Sequence, residues 1–179
     1  MTNFIFFDTD CFCSFLWCYR EDLLIKLFPK RIILPTEVRE EISNAHNRLI
    51  RQLEQLLAYK KVKLQDVTFD DDVYQDYLKL SEYEYAKKEN NKLIGVGEAS
   101  CIAFAKNIEG SIVASNISYY VKKFQIKLIT TSDILYKAYK ESFISREVGD
   151  NIWHEMTEKR NKLPFDLFSE YLHYEKKEI

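Results

Sequence analysis

The feature that most constrains the fold is a short apolar stretch near the amino terminus that ends in two acidic residues. Phe4 to Phe7 are aromatic or β-branched, which is typical of a buried strand, and Asp8, Thr9 and Asp10 follow at once. In a parallel α/β sheet, the carboxyl ends of the strands border the ligand crevice. A carboxylate at the edge of an apolar core needs compensation, so this stretch predicts a site for a hard divalent metal. The alternative is that one acid only caps the next helix.

The composition favours one domain. With 179 residues, 46% of them apolar and 15% aromatic, the chain is long enough to bury a proper core. Four Gly and three Pro leave no room for a flexible linker or a Gly-rich nucleotide loop. There is no apolar run of membrane-spanning length and no signal-peptide pattern at the amino terminus. We therefore expect a cytoplasmic protein that does not enter a membrane.

The cysteines and the net charge limit the kinds of site that are expected. Cys11, Cys13 and Cys18 lie in one aromatic stretch and Cys101 lies among small residues, which predicts buried reduced thiols rather than disulfides. The three histidines are scattered singly, so a zinc site would lack a fourth ligand. The formal net charge is −2, and a nucleic-acid surface must therefore be a local patch.

Apolar periodicity predicts alternating strands and helices along the chain. After the first strand, further strands are expected at 31–35, 110–116 and 126–131, with a short strand or an extended connection at 62–67. Single helices are expected over 11–28 and 73–85. The alternation predicts an α/β fold, a three-layer α/β/α sandwich with a mainly parallel central sheet. Residues 1–141 would form this domain, and residues 142–179 a C-terminal helical extension packed on it.

Two further acids accompany predicted helices. Glu41 lies beside the inward face of the helix that follows the second strand, whereas Glu37 and Glu40 are expected to be solvated. Glu98 lies in the first turn of a helix of small residues. It either complements the helix dipole or points into the same crevice as Asp8.

These stretches, in this order, resemble the PIN domain, the fold of the VapC-like toxin ribonucleases and related nucleases. The likeness covers about residues 3 to 140. It is carried by five short motifs: Phe7-Asp8-Thr9-Asp10, Leu34-Pro35-x-x-Val38-x-x-Glu41-Ile42, Gly97-Glu98-Ala99 with Ile102-Ala103-Phe104-Ala105, Val113-Ala114-Ser115-Asn116, and Leu128-Ile129-Thr130-Thr131-Ser132-Asp133-Ile134-Leu135. Each motif is short and degenerate, and the specificity lies in their order and spacing.

The resemblance implies a metal-dependent endoribonuclease whose catalytic acids are Asp8, Glu41 and Glu98. Three nearby residues would add ligands for Mg²⁺ or Mn²⁺, namely Asp10, Asn116 and Asp133. Such a site would hydrolyse RNA phosphodiester bonds, for which hard carboxylate oxygens and a hydrated divalent ion are suited. The resemblance also implies a toxin of a toxin–antitoxin or defence system, with RNA as substrate and an antitoxin protein as partner.

One position departs from the family pattern. Many members carry an acid just after the Ala-Ser strand end, where this chain has Asn116 and Ile117. A neutral amide ligand reduces the charge of the site and weakens the binding of a second metal ion. A competing hypothesis is therefore a catalytically weakened PIN module that acts by protein or RNA binding. A third, an interaction domain without a site, would require the acids to be helix caps only.

The C-terminal extension carries aromatic residues at helical spacing, among them Trp153, Phe168 and Tyr171. Exposed, they would suit a homodimer or an antitoxin surface. The alternative is that they pack back on the domain.

Overall fold

The computed structural model describes residues 3–68, 71–117, 119–159 and 162–175. Their strands are β1 (Ile5–Phe7), β2 (Ile32–Pro35), β3 (Lys63–Gln65), β4 (Ile112–Ala114) and β5 (Lys127–Ile129). Their helices are α1 (Thr9–Trp17), α2 (Glu21–Leu27), α3 (Thr36–Ala45), α4 (Asn47–Ala58), α5 (Asp72–Ser81), α6 (Tyr83–Lys88), α7 (Val96–Asn107), α8 (Tyr119–Lys123), α9 (Thr131–Lys140), α10 (Arg146–Glu158) and α11 (Phe168–Glu175). The last four residues of the predicted extension, 176–179, lie outside the described part.

The five strands form one parallel sheet in the order β3-β2-β1-β4-β5. Helices flank the sheet in a three-layer α/β sandwich, and the predicted fold class is confirmed. The chain moves outward from β1 through β2 to β3, crosses to β4 on the other side of β1, and ends at β5. The strand order therefore reverses between β1 and β4, and a crevice is expected at the carboxyl ends of these two strands.

The central strand β1 is fully buried, which explains why its residues are continuously apolar rather than alternating. Phe6 stacks on Phe104 of α7 with ring centroids 5.1 Å apart, and Phe7 meets Phe12 of α1 edge to face at 5.8 Å. Helix α7 packs against β1, β2 and β4, and its small residues permit this close approach. The packing fixes the amino ends of α1 and α7 near the carboxyl end of β1.

Two helix predictions are wrong because the chain breaks where a single helix was expected. Residues 11–28 contain α1 and α2, separated at Tyr19, which has a positive φ of 52°. Residues 73–85 contain α5 and α6, separated at Glu82, whose backbone is extended. The expected segment at 62–67 is the short edge strand β3.

The C-terminal helices contribute to the core. Trp153 and Phe168 are fully buried, and the Trp153 indole N–H donates to the Phe165 carbonyl at 2.8 Å. Helix α10 contacts α1, α9 and α11. The four cysteines are buried and unpaired, as predicted. None of the helices in the described ranges has both the length and the apolar character needed to cross a membrane.

Candidate acidic site

Asp8 follows β1 directly and begins α1. Its Oδ1 accepts a hydrogen bond from the Cys11 backbone N–H at 2.7 Å, so Asp8 is the N-cap of α1. The Ser115 hydroxyl, just after the neighbouring strand β4, also donates to the Asp8 carboxylate. The register of the sheet brings these two residues together, because Phe7 pairs with Ala114. Asp8 therefore caps a helix and also lies at the crevice where the strand order reverses.

Capping alone does not compensate the charge of Asp8. The residue is only 4% exposed, and burial raises its pKa from 3.8 to about 7. The hydrogen bonds from Ser115 and Cys11 oppose this rise, whereas the charges of Asp10 and Glu98 add to it. Asp8 consequently favours either a proton or a cation from outside the chain.

Glu41 joins three helices at the same crevice. From α3, its carboxylate accepts hydrogen bonds from the Thr9 hydroxyl at the start of α1 and from the Gly97 N–H at the start of α7, the latter at 3.1 Å. A Cβ at Gly97 would lie 2.6 Å from Glu41 Oε2. Because Gly97 has no side chain, the Glu41 carboxylate has room to pack against the amino end of α7.

Glu98 and Asp10 complete what we call the acidic cluster, Asp8, Asp10, Glu41 and Glu98. Glu98 is half-buried, and its Oε1 is buried without a hydrogen-bond partner among the residues that the structure describes. Burial raises the pKa of Glu98, and the charges of Asp10 and Glu41 raise it further. Asp10, in the first turn of α1, is exposed on the solvent side of the cluster.

No lysine or arginine within the described ranges forms an ion pair with an acid of this cluster. Uncompensated hard oxygen donors fit a divalent cation such as Mg²⁺ or Mn²⁺. As the side chains stand, however, no three acid, histidine or cysteine residues of the described part converge closely enough to hold a metal ion. Metal binding therefore requires the carboxylates to rotate toward one another, which their mutual repulsion opposes until a cation is present.

Two of the predicted metal ligands accept hydrogen bonds from residues outside the acidic cluster. Asn116 is exposed, and its Oδ1 accepts from the Thr131 N–H at 3.1 Å. Asp133 forms the capping box of α9, where its Oδ2 accepts from the Thr130 N–H and hydroxyl, both at 2.8 Å. Its Oδ1 accepts from the Tyr171 hydroxyl at 2.8 Å. In this arrangement, Asp133 links α9 to α11 and is not part of the acidic cluster.

Sequence reasoning missed several groups at the crevice. The prediction that Glu37 is solvated is wrong, because Glu37 is half-buried against Ser100, and its Oε2 has no hydrogen bond to any described residue. The hydroxyls of Thr9 and Ser115 support the acids, and their positions beside Asp8 and at the end of β4 are signals that could have indicated this role. The contact between Gly97 and Glu41 has no local sequence signal.

Comparisons with known proteins do not assign the chain to a family. No protein-family model matches the chain, and a search of curated proteins finds no match. The case for a function therefore depends on the arrangement of the acids and on the order of the motifs along the chain.

Proposed function

We propose that this chain is a metal-dependent ribonuclease of the PIN type that hydrolyses RNA phosphodiester bonds. The observation that carries the proposal is the acidic cluster, in which four carboxylates positioned by three helices lie near one another at the carboxyl edge of a parallel sheet without an ion-pair partner among the described residues. Structural acids are normally paired when buried. The toxin role and the antitoxin partner implied by the resemblance remain predictions.

Asp8, Glu41 and Glu98 are the residues that would hold Mg²⁺ or Mn²⁺, with Asp10 on the open side. A bound divalent ion supplies a Lewis acid that neutralises charge developing on the phosphate and lowers the pKa of water. The protein prepares the ligands: Ser115 and the Cys11 N–H orient Asp8, whereas Thr9 and the Gly97 N–H orient Glu41. Asp8 must lose its proton before it can bind a cation, so binding should strengthen as the pH rises through about 7.

The test compares Mn²⁺ binding by isothermal titration calorimetry with RNA cleavage in wild type and Asp8→Asn. We expect wild type to bind and cleave, and the variant to do neither. Asp71→Asn is a matched control, because Asp71 is likewise a helix N-cap and accepts from the Tyr74 N–H at 2.7 Å. It belongs to α5 and lies outside the acidic cluster, so its variant should behave as wild type. Absence of Mn²⁺ binding by wild type at millimolar concentration would refute the proposal.

A second candidate function is a catalytically weakened module that acts by binding protein or RNA. The observation that favours it is the neutral, exposed Asn116 at the position where the family pattern has a fourth acid. Under this alternative, wild type binds Mn²⁺ in the calorimeter but leaves RNA intact. Cleavage that disappears in Asp8→Asn would reject it.

A further inference from the structure

A pocket of about 520 Å³ opens beside the acidic cluster, and its lining includes one acid and two lysines. Asp10, a member of the cluster, and Asn116 are among the residues that line it. The lining also includes Trp17, Ile117, Lys159 and Lys162. The volume is within the range of about 300–1,000 Å³ that is usual for small-molecule sites.

The two lysines of this pocket come from the C-terminal extension and are free to bind an anion. Lys159 is the C-cap of α10, and Lys162 lies between α10 and α11; both are exposed. Neither forms an ion pair with a carboxylate in the described part of the chain. The buried Trp153 and Met156 hold α10 against the core, so packing fixes the end of the helix that carries Lys159.

An aromatic surface carrying further positive charge continues from the pocket. The Trp17 ring is half-buried, with Lys159 Nζ 5.9 Å and the Arg48 guanidinium 4.8 Å from its centre. The Arg48 guanidinium also lies 4.6 Å from the ring centre of Tyr19, which is 61% exposed. Arg48 likewise has no ion pair with a described acid. Cations interleaved with aromatic rings are typical of surfaces that bind single-stranded nucleic acid, since phosphates meet the charges and unstacked bases meet the rings.

We propose that this pocket binds a nucleotide of single-stranded RNA next to the scissile phosphate, with Lys159 and Lys162 contacting backbone phosphates and Trp17 contacting the base or the ribose. The position relative to the scissile phosphate rests on the proposed nuclease function, whereas RNA binding by the pocket does not. The chain has a net charge of −2, and the C-terminal extension thus provides the local basic patch that a polyanion requires.

The test measures binding of a fluorescently labelled single-stranded RNA by anisotropy at several salt concentrations. All proteins carry Asp8→Asn and are studied in EDTA, so that the RNA stays intact. We expect Lys159→Gln/Lys162→Gln to weaken binding about tenfold, and the slope of log K against log salt to fall by about 1.4, at about 0.7 per lost phosphate contact. The control, Lys122→Gln/Lys127→Gln, removes two exposed lysines that do not line the pocket, and should bind as the parent does.

Tryptophan fluorescence gives a second readout at the pocket itself. The chain has two tryptophans, and Trp153 is fully buried, so a change in emission on adding RNA reports on Trp17. We expect this change in the parent and its loss in Trp17→Phe. Equal salt slopes for the pocket and control variants would overturn the proposal, as would a parent that binds no single strand or binds duplex RNA equally well.

The outcomes separate this inference from the nuclease proposal. If the pocket variants lose RNA binding while wild type cleaves no RNA, the nuclease proposal fails and the binding pocket stands. If wild type cleaves RNA while pocket and control variants bind alike, the pocket fails and the nuclease proposal stands.

Discussion

The acids near the two ends of α7 differ in whether a lysine forms an ion pair with them. Near its amino end lie Asp8, Glu41 and Glu98, none of which has an ion-pair partner among the described residues. At its carboxyl end, Asp76 of α5 is only 9% exposed and has three donors around it, Lys106 at 2.7 Å, Asn107 at 2.9 Å and Lys79 at 3.7 Å. An acid with lysine partners therefore lies at one end of this helix, and acids without a lysine or arginine partner in the described part of the chain lie at the other.

The pKa values follow this difference. Burial alone would raise the pKa of Asp76, but the hydrogen bonds from Lys106 and Asn107, together with the lysine charges, outweigh burial and lower it. Burial dominates at Asp8 and raises its pKa to about 7. Within the described ranges, lysine counterions thus surround the acid that joins α5 to α7, whereas none forms an ion pair with the acids at the crevice. A cation from solvent is the simplest way to complete the acidic cluster.

The largest effect is expected from Asp8→Asn, which should stabilise the metal-free protein. Because the pKa of Asp8 is raised on folding from 3.8 to about 7, the folded state binds more protons than the unfolded state, and stability falls as the pH rises through this window. Asn caps a helix as well as Asp does. At pH ~8 in EDTA, we expect a gain of up to about 4 kcal/mol in the free energy of unfolding, measured with urea.

Two controls test whether the gain in stability comes from removing the charge of Asp8. At pH ~4, where the Asp8 carboxyl is protonated in the folded state, the variant and wild type should differ little. Saturating Mn²⁺ at pH ~8 should remove the advantage of the variant, because the ion stabilises only the protein that binds it. A stability difference between the variant and wild type that is the same at both pH values in EDTA would contradict the raised pKa of Asp8.

Asp76→Asn should change the free energy of unfolding in the opposite direction and destabilise the protein. It leaves Lys106 and Lys79 without their carboxylate, and we expect the free energy of unfolding to fall by about 1–3 kcal/mol at neutral pH. The pKa of Asp76 is lowered on folding, so its contribution is present above about pH 4 and is lost as the pH falls through the folded-state value. RNA cleavage should be unchanged at temperatures where the variant is folded. A free energy of unfolding in urea higher than that of wild type would show that Asp76 is not stabilised by Lys106 and Lys79.

Gly97→Ala should weaken metal binding without unfolding the protein. The added Cβ would lie 2.6 Å from Glu41 Oε2, the end of a flexible side chain that can rotate away. Ala also gains up to about 1 kcal/mol of helix propensity. We expect the Mn²⁺ affinity measured by calorimetry to fall about tenfold, as for other residues that orient metal ligands, with no loss of thermal stability.

The matched control for this prediction is Gly95→Ala, two residues earlier. A Cβ at Gly95 would lie 3.8 Å from Glu41 Oε1, an ordinary contact, so Mn²⁺ affinity should be retained. An equal loss of affinity in the two variants would assign the effect to the start of α7 rather than to Glu41.

The elements that carry the acids could be predicted from local pattern. The apolar run before Asp8 predicts a buried strand, the helical spacing around Glu41 places it beside the inward face of α3, and the small residues after Glu98 predict a helix close to the sheet. Alternation of strands and helices was enough to predict the parallel sheet. Each of these inferences uses neighbours within a few residues.

The contacts that define the crevice could not be predicted in this way. Gly97 and Glu41 are 56 residues apart, and Asp133 and its partner Tyr171 are 38 apart. The break between α1 and α2 falls at Tyr19, a residue type that rarely adopts positive φ, and therefore carries no turn signal. Long-range pairing and packing decide these features, and one sequence does not reveal them.

The smallest effect is expected from Asn116→Asp, which adds a charge to the lining of the pocket that Asp10 of the acidic cluster also lines. Asn116 lines the pocket with Asp10, and its Oδ1 accepts from the Thr131 N–H, a bond that a carboxylate oxygen can keep. If the acidic cluster binds a divalent cation, a further carboxylate nearby should raise the Mn²⁺ affinity and the rate of RNA cleavage by a few-fold. Calorimetry and a cleavage time course on the same samples measure both.

The control for this variant is Asn151→Asp, which adds the same charge at an exposed position of α10 that does not line the pocket. Its Mn²⁺ affinity and cleavage rate should equal those of wild type. If the acids served only as caps or as a partner surface, Asn116→Asp would add repulsion to the cluster and lower stability without any gain in Mn²⁺ affinity. The sign of the change in affinity thus distinguishes a cation site completed from solvent from a purely structural group of acids.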